Sequence, residues 1–232
     1  MTIKDIMCAL IVLIMYMPDA QSKENSRPYT IEVLTGDKLR EFMPFVITQR
    51  ILTFSAYPYL YVGNFVEEKN DFKSFAGAPD SALAIAYHGE TPVGLLTGCS
   101  FSYYASHFND DPSVFKKEGV DPKKCYYFPE IIVLSEYRGN KLSCRLLEAL
   151  EGYAKKIGYE KGSLITESHE THPLKPNNYK SLDALWNFHK YRKTSIDVRI
   201  GWRTYQPDGS VRYQKHKLNY WVKDFKSVGD QK

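Results

Sequence analysis

The sequence predicts a single α/β domain of the α+β type, in which short strands and helices alternate along most of the chain. Three features carry this prediction: a strand that runs through a basic turn into a helix (126–150), a strand followed by a helical repeat (29–54), and two sets of paired strands (82–101 and 196–225). The chain has 232 residues, of which 43% are hydrophobic and 25% charged. That composition can bury one sizeable core, and no linker rich in Pro, Gly or Ser divides it.

The first half of the chain predicts a strand, a helix and a hairpin. Residues 29–34 alternate apolar and polar side chains, as a half-exposed strand does, and 39–54 carry apolar residues at helical spacing. Two apolar runs, 82–87 and 93–101, flank a turn marked by glycine and proline. This pattern is typical of an antiparallel hairpin.

The second half begins with a strand over 126–134. The apolar residues of 142–157 then lie on one helical face, and Gly158 follows as a stop signal. The remaining predictions are a strand over 162–167, a helix over 179–191 and a closing hairpin over 196–205 and 211–225.

The turn before the helix of 142–157 has the composition of an anion-binding site. It reads Arg138-Gly139-Asn140-Lys141-Leu142-Ser143, and Cys144 continues the helix. Backbone N–H groups of such a turn and of the first helical turn can point together at a phosphate. Two phosphates fit a nest of this kind.

This loop resembles the acyl-CoA loop of the GNAT superfamily of N-acetyltransferases, Arg/Gln-x-x-Gly-x-Gly/Ala. Arg138 and Gly139 match it, whereas Lys141 and Ser143 stand where the family has small residues. The resemblance extends over 29–225, and the segments at 57–61 and 173–191 are similar to a bacterial-type branch. It implies the GNAT fold, a mixed and mostly antiparallel sheet that splays between its fourth and fifth strands, with helices on both faces.

The resemblance implies that acetyl-CoA is the co-substrate. In the family the splayed strand pairs with the pantetheine arm and the loop holds the diphosphate. The residues implied here are Ile131, Ile132, Val133, Arg138, Gly139, Asn140, Lys141, Leu142, Ser143 and Cys144. Lys141 would cost about 1 kcal/mol if its position needs a left-handed backbone, and its ammonium could offset this by pairing with the diphosphate.

Glu130 is the leading catalytic candidate, because several GNAT enzymes keep a general base at this place. Its apolar neighbours predict a raised pKa, towards the range useful for taking a proton. The alternative is a charged strand end that protects a sheet edge. Pro129, which cannot donate to a sheet ladder, predicts a break in strand pairing on either interpretation.

Tyrosines complete the implied site. Tyr179 could contact the CoA arm or the leaving thiolate, because Trp186 stands where many GNAT enzymes have a tyrosine acid. Tyr57, Tyr59 and Tyr61 lie in the loop that overhangs the acceptor site in the family and could wall a substrate pocket. The alternative for each ring is packing in the core.

The implied reaction is direct transfer of an acetyl group to a primary amine of a small molecule or a peptide, without a metal. His169 and His172 lack a third ligand at suitable spacing, so no metal site is expected. Two alternatives stay open. One is an inactive GNAT-fold binding protein, since Lys141, Ser143 and Trp186 depart from the active pattern, and the other is an exported ligand-binding module.

The net charge of the chain and the composition of its first 22 residues give expectations about its binding partners and its cellular location. Lys and Arg outnumber Asp and Glu by 31 to 27, too small an excess to indicate a nucleic-acid partner. Residues 1–22 resemble a signal peptide or an anchor, with an apolar run that is short for a membrane span. Because acetyl-CoA is a cytosolic metabolite, a cytoplasmic location is expected for the protein. The alternative is export, or tethering to a membrane, through residues 1–22. The GNAT domain is expected over 28–226, as a monomer or homodimer.

Overall fold

A computed structural model describes residues 27–108, 113–167, 172–177, 179 and 181–225. The signal-like segment 1–22 and His169 lie outside these ranges. Within them, no helix has both the length and the apolar character that crossing a membrane requires.

An eight-stranded sheet forms the centre of the described structure. Its strands are β1 Tyr29–Thr35, β2 Ala82–His88, β3 Thr91–Ser100, β4 Cys125–Tyr127, β5 Ile131–Val133, β6 Lys161–Glu167, β7 Arg192–Tyr205 and β8 Val211–Asp224. The helices are α1 Gly36–Glu41, α2 Met43–Phe54, α3 Phe65–Gly77, α4 Phe101–Phe108, α5 Ser113–Lys117, α6 Leu142–Lys156 and α7 Asp183–Phe188.

The strands follow the order β1-β2-β3-β4-β6-β8-β7, and β5 pairs with β3 beside β4. Only the β4–β6 pairing is parallel among the described strands. The mixed, mostly antiparallel sheet predicted from the sequence is therefore confirmed. The predicted fourth strand is present as the two short pieces β4 and β5, and the predicted fifth strand is β6.

Pro129 marks the break between β4 and β5. Cys99 of β3 faces Tyr127, and Leu96 faces Ile131, so two residues of β3 oppose three residues of the broken strand. This is a β-bulge, which bends a strand and redirects its side chains. Because proline has no N–H to give to a ladder, the break falls at 128–130, and Glu130 sits in the bulge.

Two hydrophobic cores cover the two faces of the sheet. Strand β2 contributes to both in alternation: Leu83 and Ile85 pack on the side of α1–α5, and Ala84 packs on the side of α6 and α7. Leu146 and Leu150 of α6 are fully buried on the second side. Each such leucine contributes about 1.5–3 kcal/mol by leaving water, so the two layers hold the sheet between them.

Some predicted boundaries were wrong for local reasons. The helix predicted over 39–54 is two helices, since the backbone breaks at Phe42 and Pro44 lies in the first turn of α2, where its missing N–H costs nothing. The helix predicted over 179–191 shortens to α7. Tyr179 belongs to a turn, and the Ser181 hydroxyl accepts from the Asp183 N–H at 3.2 Å, which favours a helix start there. Helices α3, α4 and α5 were not predicted.

Candidate active site

A cleft opens where β5 and β6 separate, and we call it the splay cavity. The Phe128 N–H still donates to the Ser163 carbonyl at 2.8 Å, which keeps β4 beside β6. Beyond this bond β5 stays with β3, and a space of about 480 Å³ lies next to it. Strands β5 and β6, the start of α6, helix α7 and the loop after α2 bound this space.

Most of the residues implied for acetyl-CoA binding come together around the splay cavity. Those in its lining are Ile131, Ile132, Val133, Arg138, Gly139, Lys141, Leu142 and Ser143. Asn140 and Cys144 are outside the lining. The Asn140 side-chain amide instead donates to the Tyr137 carbonyl at 3.1 Å, which shapes the turn.

The start of α6 presents backbone donors and positive charge to the splay cavity. The Lys141 side chain does not cap the first turn of this fifteen-residue helix, so within the described ranges its leading N–H groups remain available to an anion. The Arg138 Nε donates to the Val133 carbonyl at 3.1 Å, and this bond holds the guanidinium at the edge of the cavity. The arrangement fits a diphosphate, while the edge of β5 that faces away from β3 fits the amides of a pantetheine arm.

Lys141 adopts the left-handed conformation that its family position normally gives to a small residue, with φ 57° and ψ 21°. We expect Lys141→Gly to raise the free energy of unfolding by about 1 kcal/mol, because glycine has no Cβ to clash in this conformation. Urea denaturation measures the change. Lys141→Ala is the matched control, since it removes the ammonium but keeps the Cβ, and should bring no gain. A glycine variant no more stable than the alanine variant would contradict this account of Lys141.

Aromatic side chains line the side of the splay cavity opposite the loop Arg138 to Ser143. Tyr57 and Tyr179 both line it, and their rings meet edge to face at 4.7 Å. Burial raises the pKa of Tyr179, so its hydroxyl keeps its proton at neutral pH. Trp186 is 4% exposed, and its indole N–H has no acceptor within the described ranges. Trp186 belongs to the lining of the splay cavity, so this buried donor is next to the space that fits CoA.

A second space of about 890 Å³ lies against the same bulge, and we call it the aromatic cavity. It is bounded by α2, α3 and the strands β6, β7 and β8. The rings in its lining are Phe54, Tyr59, Tyr61, Phe72, Phe75, Tyr103, Tyr104, Tyr127, Trp202 and Tyr213. Of the three loop tyrosines singled out in the sequence, Tyr61 lines only this cavity, Tyr57 lines only the splay cavity, and Tyr59 lines both.

Glu130 lies where the two cavities meet, since it belongs to the lining of both. It is 8% exposed and accepts a hydrogen bond from Nη1 of Arg50 at 2.5 Å. The Arg50 Nε donates to Glu68, also at 2.5 Å, so one guanidinium joins two buried carboxylates. This ion cluster ties α2, α3 and the bulge together and fixes the position of the Glu130 carboxylate.

Two opposing effects set the pKa of Glu130. Burial raises it, as the apolar neighbours predict, and the positive charge of Arg50 offsets part of that rise. The raised pKa prevails. A carboxylate with a raised pKa is a better proton acceptor than an exposed glutamate, which suits a general base.

Trp202 forms a rigid wall of the aromatic cavity because a buried polar network holds it from behind. Its indole ring stacks on His216 with ring centres 3.7 Å apart and planes within 3°. His216 in turn bonds to Glu167 through Nδ1 at 2.6 Å and to Thr204 through Nε2 at 2.8 Å. The Trp202 N–H donates to the Tyr59 carbonyl at 3.0 Å, which links this wall to the loop after α2.

Sequence reasoning missed Arg50 and Glu68, although a signal was present. Arg50 is three residues after the buried Ile47 of α2, and Glu68 is four residues before the buried Phe72 of α3. Helical spacing therefore places each charge on the buried face of its helix. Buried charged side chains are almost always paired with a side chain of opposite charge. The sequences of the two helices therefore predict an internal ion pair between Arg50 and Glu68.

The comparison with protein families agrees with this geometry. The sequence model of the acetyltransferase (GNAT) family matches residues 50–174, more than half of the chain, including the broken strand and the loop before α6. No curated protein sequence matches the chain.

Solved acetyltransferases share the fold. An N-acetyltransferase from Staphylococcus aureus Mu50 is 15% identical with a TM-score of 0.51, and the match covers 85% of this chain and 98% of that one. A polyamine N-acetyltransferase from Drosophila melanogaster is 14% identical, with a TM-score of 0.55 over 85% and 100% of the two chains. An aminoglycoside 6'-N-acetyltransferase in complex with coenzyme A is 12% identical, with a TM-score of 0.54 over 87% and 99%. The family match and the shared architecture establish that this chain belongs to the GNAT family of acetyltransferases, which use acetyl-CoA.

Proposed function

We propose that this protein transfers an acetyl group from acetyl-CoA to a primary amine of a small molecule or peptide, by direct attack within a ternary complex. The observation that carries the proposal is the meeting of two cavities at Glu130. The splay cavity fits CoA, and the aromatic cavity offers separate room for an acceptor. Phe54, Tyr59, Pro129, Glu130 and Ile165 line both, so donor and acceptor can meet there without either leaving its site.

Glu130 acts as the general base. An amine is mostly protonated at neutral pH, and Glu130, directly or through water, takes the proton that frees the nitrogen lone pair. Bound acetyl-CoA supplies an activated thioester. Starting from the ammonium, the nitrogen loses two protons: the first passes through Glu130 to water before attack, and the second leaves as the C–N bond forms. The C–S bond breaks and the sulfur gains one proton, so one proton is released to solvent overall. Tyr179, which stays protonated, is placed in the splay cavity to give that proton or a hydrogen bond to sulfur.

Holding acetyl-CoA and the amine in the correct relative position supplies much of the rate enhancement. Holding two reactants in line can lower a barrier by about 7–11 kcal/mol in the best cases, provided that both sites are rigid. Here the ion cluster of Arg50, Glu68 and Glu130 fixes one side of the meeting point. The stack of Trp202 on His216 fixes the opposite wall.

Calorimetric titration of acetyl-CoA into the purified protein, followed by a thiol-release assay with a panel of amines, tests the proposal. We expect micromolar binding, and one free thiol for each acetylated amine. Acetyl-pantetheine is the control ligand, because it lacks the diphosphate and should bind far more weakly. If millimolar acetyl-CoA gives no binding, the protein is a fold relative without this activity.

A further inference from the structure

We propose that the acceptor is a small linear diamine: its reacting amine lies at Glu130, and its second ammonium lies beside Asp71 at the mouth of the aromatic cavity. This inference rests on the proposed acetyltransferase function and adds the chemical class of the acceptor. Charge, aromatic lining and the placement of the acidic side chains support it.

The charges around the aromatic cavity favour a cation. Three carboxylates are in its lining, those of Glu67, Asp71 and Glu130, and Glu68 lies directly behind Arg50. The two guanidiniums in the lining are those of Arg50 and Arg203. The lining thus has one more carboxylate than guanidinium, and Glu68 behind it is a further acidic side chain, so the cavity favours an acceptor with two ammonium groups.

Neither guanidinium is available to an anionic acceptor. Arg50 donates to Glu68 and Glu130, and Arg203 donates to both oxygens of Glu67, at 3.2 and 3.1 Å. An acceptor with a carboxylate would have to break one of these pairs. The cavity therefore selects against amino acids and acidic peptides.

Buried negative charge remains even after the Arg50 contacts. Glu68 is fully buried, and its Oε1 accepts no hydrogen bond in the described part of the chain. The Tyr61 hydroxyl of the cavity lining interacts with this carboxylate, so Glu68 adds to the negative potential at the wall of the cavity. The field of the pair Glu68 and Glu130, shared by one guanidinium, thus draws an ammonium towards the bulge.

The aromatic lining suits an alkyl chain that carries positive ends. Ring faces attract cations by about 0.5–2 kcal/mol, and rings also cover methylene groups. The cavity already holds one cation in this way, since the Arg50 guanidinium lies 5.5 Å from the centre of the Phe54 ring. Tyr213, which is 69% exposed, lies at the mouth, where a second ammonium would enter.

The acidic side chains in the lining of the aromatic cavity differ in their exposure to solvent. Glu130 is buried at the bulge, whereas Glu67 and Asp71 are exposed on α3, four residues apart on one face of the helix. Glu67 is paired with Arg203, so Asp71 is the exposed carboxylate of the lining that can receive an ammonium. A reacting amine at Glu130 therefore leaves the second charge of a diamine near Asp71.

Steady-state kinetics with three matched series of acceptors test the inference: linear α,ω-diamines, alkyl monoamines and ω-amino carboxylates of equal length. We expect the best diamine to exceed its monoamine at least about 10-fold in kcat/KM, since a charge-assisted bond contributes about that factor. The ω-amino carboxylates should be the poorest acceptors. Equal rates for the three series would overturn the inference while leaving the acetyltransferase function intact, and so would lysine peptides that outperform every diamine.

Variants assign the second ammonium to Asp71. Asp71→Asn should raise KM for diamines about 10-fold and leave monoamines unchanged, so that the preference disappears. Arg203→Gln, which releases Glu67, should lower KM for diamines. Asp37→Asn is the matched control, because this side chain is 99% exposed on α1, outside the cavity lining, and should leave the preference unchanged. A diamine preference that survives Asp71→Asn would contradict the placement. Failure of every amine, together with no acetyl-CoA binding, would instead reject the proposed function itself.

Discussion

Replacing Glu130 with glutamine is expected to lower kcat for amine acetylation by about 100- to 10,000-fold, because the amide cannot take a proton from the acceptor. The shape of the side chain is kept, so the splay cavity and its affinity for acetyl-CoA should be unchanged. Stopped-time assays give the rate, and calorimetric titration gives the affinity. A loss confined to kcat identifies a chemical role, whereas a loss of affinity would identify a structural one.

The dependence of kcat/KM on pH tests whether Glu130 is the general base or takes no part in the reaction. Since burial raises the pKa of Glu130, wild-type kcat/KM should fall as pH drops through a value above that of an exposed glutamate. The residual activity of Glu130→Gln should lack that acidic limb. Glu160→Gln is the control, because Glu160 is exposed and pairs only with Lys124 among the contacts described. Wild-type rates and an intact acidic limb in Glu130→Gln would remove Glu130 from the mechanism.

Replacing Arg50 with methionine should lower the free energy of unfolding by about 3–5 kcal/mol, the usual cost of leaving a buried charge without its partner. Glu68 is fully buried and Glu130 nearly so, and both depend on this guanidinium. Urea denaturation followed by circular dichroism measures the loss. Arg203→Met is the matched control, since that pair with Glu67 is exposed and should contribute less than about 1 kcal/mol.

The Arg50→Met variant should also respond to pH in a defined direction. Burial already raises the pKa of the Glu130 carboxyl, and without the guanidinium this pKa rises further above its unfolded value, so the folded state binds that proton more tightly. The stability of the variant therefore increases as pH falls through the raised pKa of Glu130, so its deficit against wild type shrinks as the solution becomes more acidic. Adding Glu68→Gln should recover part of the loss at neutral pH. A deficit that is small, or constant with pH, would contradict the role given to the ion cluster.

Local patterns accounted for much of the fold. Alternation in β1, the apolar runs of β2 and β3 around a turn, the apolar face of α6 and the stop at Gly158 all depend on residues close in sequence, so they could be predicted. Pro129 likewise predicted the break in strand pairing, because the missing N–H is a property of that residue alone. The prediction was wrong for the helix of 179–191, where Ser181 and the preceding turn outweigh the apolar spacing.

The candidate active site likewise has parts that local sequence predicts and parts that it does not. The loop Arg138 to Ser143, the broken strand and Glu130 were readable from the sequence, since each is one short segment with its own chemistry. The ion cluster of Arg50, Glu68 and Glu130 and the stack of Trp202 on His216 join segments far apart in the chain. Helical and strand periods state which face of an element is buried but not which element covers it. The sequence by itself thus determined the order of the strands, helix α6 and the loop proposed to hold CoA, whereas only tertiary packing decided the aromatic cavity, its acidic lining and the partner of the proposed base Glu130.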